Sequence, residues 1–326
     1  MEKVLFYVGE KPYAVWGRDI AEKNGQFLKN YDTRQFEYLA KVHMAQVDTE
    51  NAQQAATALR TAYGLAQEAL FSIIGAALQA PKCVFGWLYR YREPDIELVI
   101  RGIEGSAKIP NLLRGALTWQ SLSNEIHKGL VLPDRAKEKE IKSRFAIFWD
   151  YISAEFMDKK LRNEYNCAKH GLRLQPGGFR IGLGIQAKPN VPIPIDKLNW
   201  TQKSRFGSTT LSLEKISQNK DLVDYSVRED SRNWDIDSLT GRIQLIAMSI
   251  NNVISFLRTI NGQKHTCQQY SWPEDLAYFD LVWESDCDIN SLSVDARVTE
   301  NDIYPTKATE VMKAYNRKPQ SCKESR

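Results

Sequence analysis

The chain has 326 residues, of which 43% are hydrophobic and 10% aromatic, so a globally disordered chain is excluded and the length suggests two cores. Its net charge is only +4, which hides a split: residues 1–220 hold 32 basic against 23 acidic side chains, residues 221–302 hold 6 against 15, and the remainder 6 against 2. The basic front permits a polyanion such as RNA without demanding one, and the acidic stretch 221–302 is a candidate surface for a protein partner.

In chain order, residues 1–14 read as an extended lead-in broken by Pro12, and residues 15–30 as a helix weakened by Gly17 and Gly25. From Asp48 to Ala80 the spacing of Leu59, Tyr63, Ala66, Leu70, Ile74 and Leu78 predicts a long helix, capped by Asp48 or Thr49 and stopped by Pro81. The aromatic run Phe85, Trp87, Tyr89 and Tyr91 fits a strand by its period of two, and its helical flanks fit a packed helix or turn equally well. Helices are expected at 96–103 and 112–130. Another begins at Pro133-Asp134, with Ile141, Phe145, Phe148, Trp149, Ile152 and Phe156 carrying its stripe on toward Tyr165.

After Gly171 the pattern changes. Strands are expected at 179–185 and 208–216, a proline-stiffened connector at 188–196, a helix at 237–260, no clear period at 272–300, and a short helix with a polar tail from 306. The expected fold class is mainly α: a helical bundle over 1–172, a smaller α+β segment over 173–300, and a short helix and tail over 301–326. The opening residues do not read as a secretory leader, and no run approaches the ~18 apolar residues that crossing a bilayer needs. The expected location is therefore cytoplasmic, without a membrane partner.

Most candidate motifs fail on their own terms. Five scattered cysteines without a Cys-x-x-Cys pair argue against a disulfide framework or a zinc knuckle. Gly177-Gly178 and Gly182-x-Gly184 match neither nucleotide-loop fingerprint and read as turn and strand-crossing glycines. Asp286-x-Asp288-x-Asn290 starts like a calcium loop, but Ser291 stands where glycine is needed and Arg297 where glutamate is needed. His43, His127 and His265 are isolated and carry no role. No metal and no cofactor are expected.

One decapeptide, 162–171, holds the chemistry. On a helix Arg162, Asn166 and His170 form a stripe at four-residue spacing, with Lys169 alongside and Arg173 just beyond. The segment Tyr165-Asn166-Cys167-Ala168-Lys169-His170-Gly171 resembles the Arg-Asn-x-x-x-His-Gly signature of the HEPN superfamily of helical bundles, with Tyr165 at the place of the family's arginine. The resemblance implies a metal-independent ribonuclease, such as a toxin or defence effector, acting as a homodimer with two motif helices facing each other. His170 would then be the general acid and base, Asn166 and Arg162 would complete the catalytic group, and Lys169 and Arg173 would bind substrate. Helix capping accounts for Lys169, His170 and Gly171 equally well, since cations and a terminal glycine suit the last turn. A non-catalytic helical binding protein is the alternative reading.

Overall fold

The computed structural model describes residues 1–113, 115, 117–170, 173–186, 193–201, 204–218, 223–263, 270–284, 289–295 and 307–315. The elements run β1 (Glu2–Val8), β2 (Lys11–Gly17), α1 (Ile20–Asn30), α2 (Gln35–Met44), α3 (Ala52–Gln79), α4 (Val84–Arg90), α5 (Glu93–Ile103), α6 (Trp119–Ile126), α7 (Arg135–Met157) and α8 (Lys159–Lys169). Then follow β3 (Leu174–Pro176), β4 (Gly182–Leu183), β5 (Asn199–Trp200), β6 (Phe206–Gln218), β7 (Val223–Trp234), α9 (Ile236–Ile260), α10 (Tyr278–Leu281), β8 (Ser291–Asp295) and α11 (Ala308–Tyr315).

The two longest helices among the described residues form the centre. Leu59, Leu70 and Ile74 of α3 and Ile243, Ile246, Ile250 and Val253 of α9 are almost wholly buried. They share one continuous apolar cluster with Trp87 of α4, Ile100 of α5 and Phe145, Trp149 and Ile152 of α7. Both helices are long and apolar enough to cross a membrane, contrary to the sequence expectation, but 78% and 67% of their apolar windows are buried inside the fold. The aromatic run resolves as helix α4. There Trp87 stacks on Tyr91 at 5.0 Å and lies so close to Gly75 that a Cβ there would come within 2.4 Å of the indole.

The mainly α expectation for the fold class is overturned: the fold is an α+β mix. The lead-in is an antiparallel hairpin, β1–β2, in which Pro12 pairs with Tyr7 next to the turn. Gly9 takes the positive φ of +60° that this turn requires, and Gln79 at the end of α3 bonds both its N–H and its C=O. A second, four-stranded antiparallel sheet of order β3-β6-β7-β8 curls against α8. Strand β7 carries only a short alternation, Val223, Tyr225 and Val227 between polar residues, and Arg228–Asn233 are all polar, so its second half shows no apolar period. Helix α9 then returns from this region to pack along α3, so part of the expected second segment completes the first core.

Smaller differences have equally local causes. The expected helix at 15–30 begins only at Ile20, because Val15–Gly17 belong to β2. That at 112–130 contracts to α6, and the strand at 179–185 shortens to the two residues of β4. The loop at 286–288, His265, Gly171 and three of the five cysteines lie outside the described residues, whereas Cys83 and Cys167 are buried free thiols.

Candidate functional site

The motif helix is shorter than the periodicity suggests. The rod begun at Arg135 ends at Met157, where Asp158 turns extended and restarts the chain as α8. The Asp158 carboxylate accepts from the free amides of Lys160 at 2.7 Å and Leu161 at 3.1 Å, as an N-cap does. Helix α8 is thereby placed independently of α7, with one side toward α3 and another toward β6.

Its buried side is a closed polar hub. Glu164 and Arg60 of α3, whose side chains are each only 5% exposed, pair at 2.8 Å. The other Glu164 oxygen accepts from the Ser208 hydroxyl of β6 and the Trp234 indole of β7, both at 2.7 Å. Burial pushes the Glu164 carboxyl up, but Arg60 and Ser208 outweigh it, so the group lies below its ordinary value and stays ionised. One carboxylate ties three elements of the fold together.

The other side faces a cavity of about 90 Å³, room for several waters, bounded by α3, α5, α7 and α8. Arg162, Asn166, Lys169 and His170 all line it, so four of the five expected site residues come together. Arg173 does not: it is exposed, past the end of α8, with its backbone N–H on the Cys167 carbonyl. The cavity also brings in carboxylates that sequence reading passed over, namely Glu68, Glu93 and Glu155. Arg162 pairs with Glu93 at 2.6 Å and also with Glu97, while Lys169 pairs with Glu68 at 3.0 Å. Burial lowers the Arg162 affinity for its proton, yet Glu97 and Glu93 more than compensate, so the guanidinium remains charged. Glu155 is held by the Tyr63 hydroxyl and by Arg242 at 2.9 Å.

Tyr165 is built into the scaffold. Its ring covers Gly64 of α3, where a Cβ would sit 2.2 Å from Cδ2, and its hydroxyl donates to Glu68 at 2.9 Å. Burial, followed by the nearby Glu68 charge, raises its pKa far above that of a free phenol. The signal that points to these partners is a polar stripe on α3: Arg60, Tyr63, Gln67 and Glu68 interrupt a helix otherwise rich in Ala, Leu and Ile. Among the described residues, no group of three His, Cys, Asp or Glu side chains is arranged to hold a metal ion.

His127, one of the isolated histidines, is a satisfied core residue. Asn252 donates to its Nε2 at 3.1 Å, so the proton sits on Nδ1, 2.9 Å from the Ser123 carbonyl. No protein-family model, no curated protein and no solved structure matches this chain.

Proposed function

We propose that the cavity beside α8 takes a small cationic or donor-rich group, and that the chain is a binding protein rather than a nuclease. The observation that carries this reading is charge. The lining has Glu68, Glu93 and Glu155 against Arg162 and Lys169, and both cations are already engaged by carboxylates. A phosphate entering here would have to displace those carboxylates and then lie beside them, a costly arrangement in a partly desolvated cleft. An alkylammonium group instead meets acceptors: the half-exposed Glu93, the Asn166 carbonyl and the His170 ring. Tyr165 supports the same reading, because the position of the family's arginine is spent on packing and on holding Glu68.

The test is calorimetric titration with the diamine putrescine and, separately, with inorganic phosphate. Saturable putrescine binding that weakens several-fold in Glu93→Gln is expected, with no response to phosphate. Phosphate binding in the absence of any diamine response would overturn the reading.

A second reading keeps the HEPN-like ribonuclease, with its homodimer and its place in a toxin or defence system. It is favoured by Asn166 and the exposed His170 lying on one wall of the same cavity. In it His170 takes the 2′-hydroxyl proton as that oxygen attacks phosphorus, and a proton returns to the departing 5′-oxygen. Arg162 would have to leave Glu93 and Glu97 to meet the phosphate charge. RNA cleavage that disappears in His170→Ala, with the helical circular-dichroism signal intact, is its expected result. An inactive wild-type chain removes it.

A further inference from the structure

The four-stranded sheet is inside out. Antiparallel sheets with one wet face ordinarily turn apolar residues inward and polar ones outward. Here the inward positions are Ser208, Thr210, Asp230, Arg232 and Ser293, bonded to one another and to α8. Ser293 donates to Asp230 at 2.6 Å, Lys160 of α8 donates to Ser293 at 3.1 Å, and Ser208 donates to Glu164. The outward positions are Leu211, Leu213, Tyr225, Val227, Leu292 and Val294, each between 39% and 65% exposed. Strand register makes them neighbours: Leu213 is paired with Val227, Leu211 with Glu229, and Glu229 in turn with Val294. The result is an apolar strip across three strands, interrupted by Glu229 between Leu211 and Val294, of the kind that marks an interaction surface.

The geometry points to a second copy of this chain as the occupant, stacked face to face on this sheet. The argument is charge complementarity about a centre. At the outward positions of Thr209–Lys215 and Tyr225–Ser231 the charged residues are Lys215 and Glu229. They stand at opposite ends of the strip: Lys215 is two residues beyond the central Leu213–Val227 pair in one direction, at the Tyr225 level, and Glu229 is two residues beyond it in the other, at the Leu211 level. A two-fold axis crossing the strands at that pair turns each Lys215 end onto the other sheet's Glu229 end. Each lysine then stands one strand spacing, ~5 Å, to the side of a glutamate on the facing sheet and across the ~10 Å between the sheets, a gap that the two long side chains close together. The leucines, valines and Tyr225 interleave between them as the two inner faces of a sandwich do. An isologous contact of this kind needs one self-complementary patch. The strip covers several hundred Å², less than the ~800 Å² per partner of a standard stable interface, so the dimer is weak and reversible. The inference does not rest on the cavity beside α8.

Sedimentation velocity of the full chain between roughly 1 and 200 μM tests it, a range that brackets micromolar association. A reversible monomer–dimer equilibrium is expected. The double variant Leu213→Asp/Val227→Asp should raise the dissociation constant at least tenfold without changing the circular-dichroism spectrum, since both side chains face water in the monomer. Lys215→Glu and Glu229→Lys should each weaken association several-fold, and the two combined should restore it. Three results would overturn the proposal: a monomer throughout the range, a dimer indifferent to the double aspartate variant (as one built on facing motif helices would be), or charge swaps that weaken association and fail to rescue it together.

Discussion

Two stripes of one eleven-residue helix do opposite things with the same kinds of side chain. On one, Glu164 and Arg60 are sealed from water and every oxygen of the carboxylate is spoken for, by Arg60, Ser208 and Trp234. On the other, Arg162 and Lys169 are also paired to carboxylates, but around an open cavity whose Glu93 and His170 still meet solvent. Ion pairs alone therefore do not separate scaffold from site. Desolvation does: a sealed pair cannot exchange partners without unfolding something, whereas a wet pair can yield to a ligand.

The largest effect should come from opening the sealed side. Glu164→Ala leaves the Arg60 guanidinium buried without its anion and strands the Ser208 and Trp234 donors, a loss of about 3–5 kcal/mol by analogy with broken buried pairs. Urea unfolding measures it. The paired change Arg60→Met/Glu164→Leu should recover much of the loss, because removing both charges also removes their desolvation cost. A single-variant loss under about 1 kcal/mol would mean that this side is not closed.

The same contrast divides two histidines. His170 stands at the exposed end of the open stripe, while His127 is sealed between α6 and α9, its ring stacked on Phe145 at 4.9 Å. Burial, partly offset by the Ser123 carbonyl, lowers the His127 pKa to about 4. The folded value is depressed relative to the unfolded one, so the contribution of the neutral ring is complete above ~6.5 and is lost as pH falls toward about 4. At ~1.4 kcal/mol per unit, the loss approaches 3 kcal/mol at the acid end. Carboxylates titrate over the same window, so the comparison is with His127→Gln: the wild type should lose more stability between pH 7 and 4.5 than the variant does. Parallel curves would mean that the ring is not sealed.

How far these features could be read from the chain follows from which contacts are local. The apolar period of α3 and α9 fixes both helices, because most residues on each buried stripe are apolar and recur at helical spacing. The stripe Arg162, Asn166, His170 is likewise legible, because four-residue spacing on a helix is a local fact, and all three do share one cavity. What decides the chemistry of that cavity is not local. Glu68, Glu93 and Glu155 arrive from three other helices, and Glu164 lies 104 residues from Arg60. The break at Asp158 hides inside a continuous helical period, and β7 hides because its apolar alternation stops at Val227, after which Arg228–Asn233 are all polar. Sequence periodicity reports which residues share a face, and only tertiary contacts report what that face meets.

A middle-sized effect bears on Tyr165, the position at which the motif departs from its family. If the ring is scaffold, filling the space beneath it must be costly. Gly64→Ala puts a Cβ 2.2 Å from Cδ2 of that ring, and should destabilise by about 1–3 kcal/mol through overpacking. Adding Tyr165→Leu should relieve part of that loss, a coupling that a double-mutant cycle reads directly. Strict additivity would place the ring elsewhere.

The smallest expected effect belongs to Arg162, and it separates the two stripes most sharply. Its side chain is 16% exposed, its partners Glu93 and Glu97 are 45% and 22% exposed, and such wet pairs contribute about 0–1 kcal/mol. Arg162→Ala should therefore leave the unfolding midpoint nearly unchanged, in contrast to Glu164→Ala only two positions away. It also frees Glu93 in the cavity wall, so putrescine should bind several-fold more tightly, a gain that vanishes when Glu93→Gln is added. A loss of stability comparable to that of Glu164→Ala would show that both sides of α8 are scaffold. Unchanged stability with weaker diamine binding would mean that the guanidinium itself contacts the ligand, which returns the cavity to anions and to the ribonuclease reading.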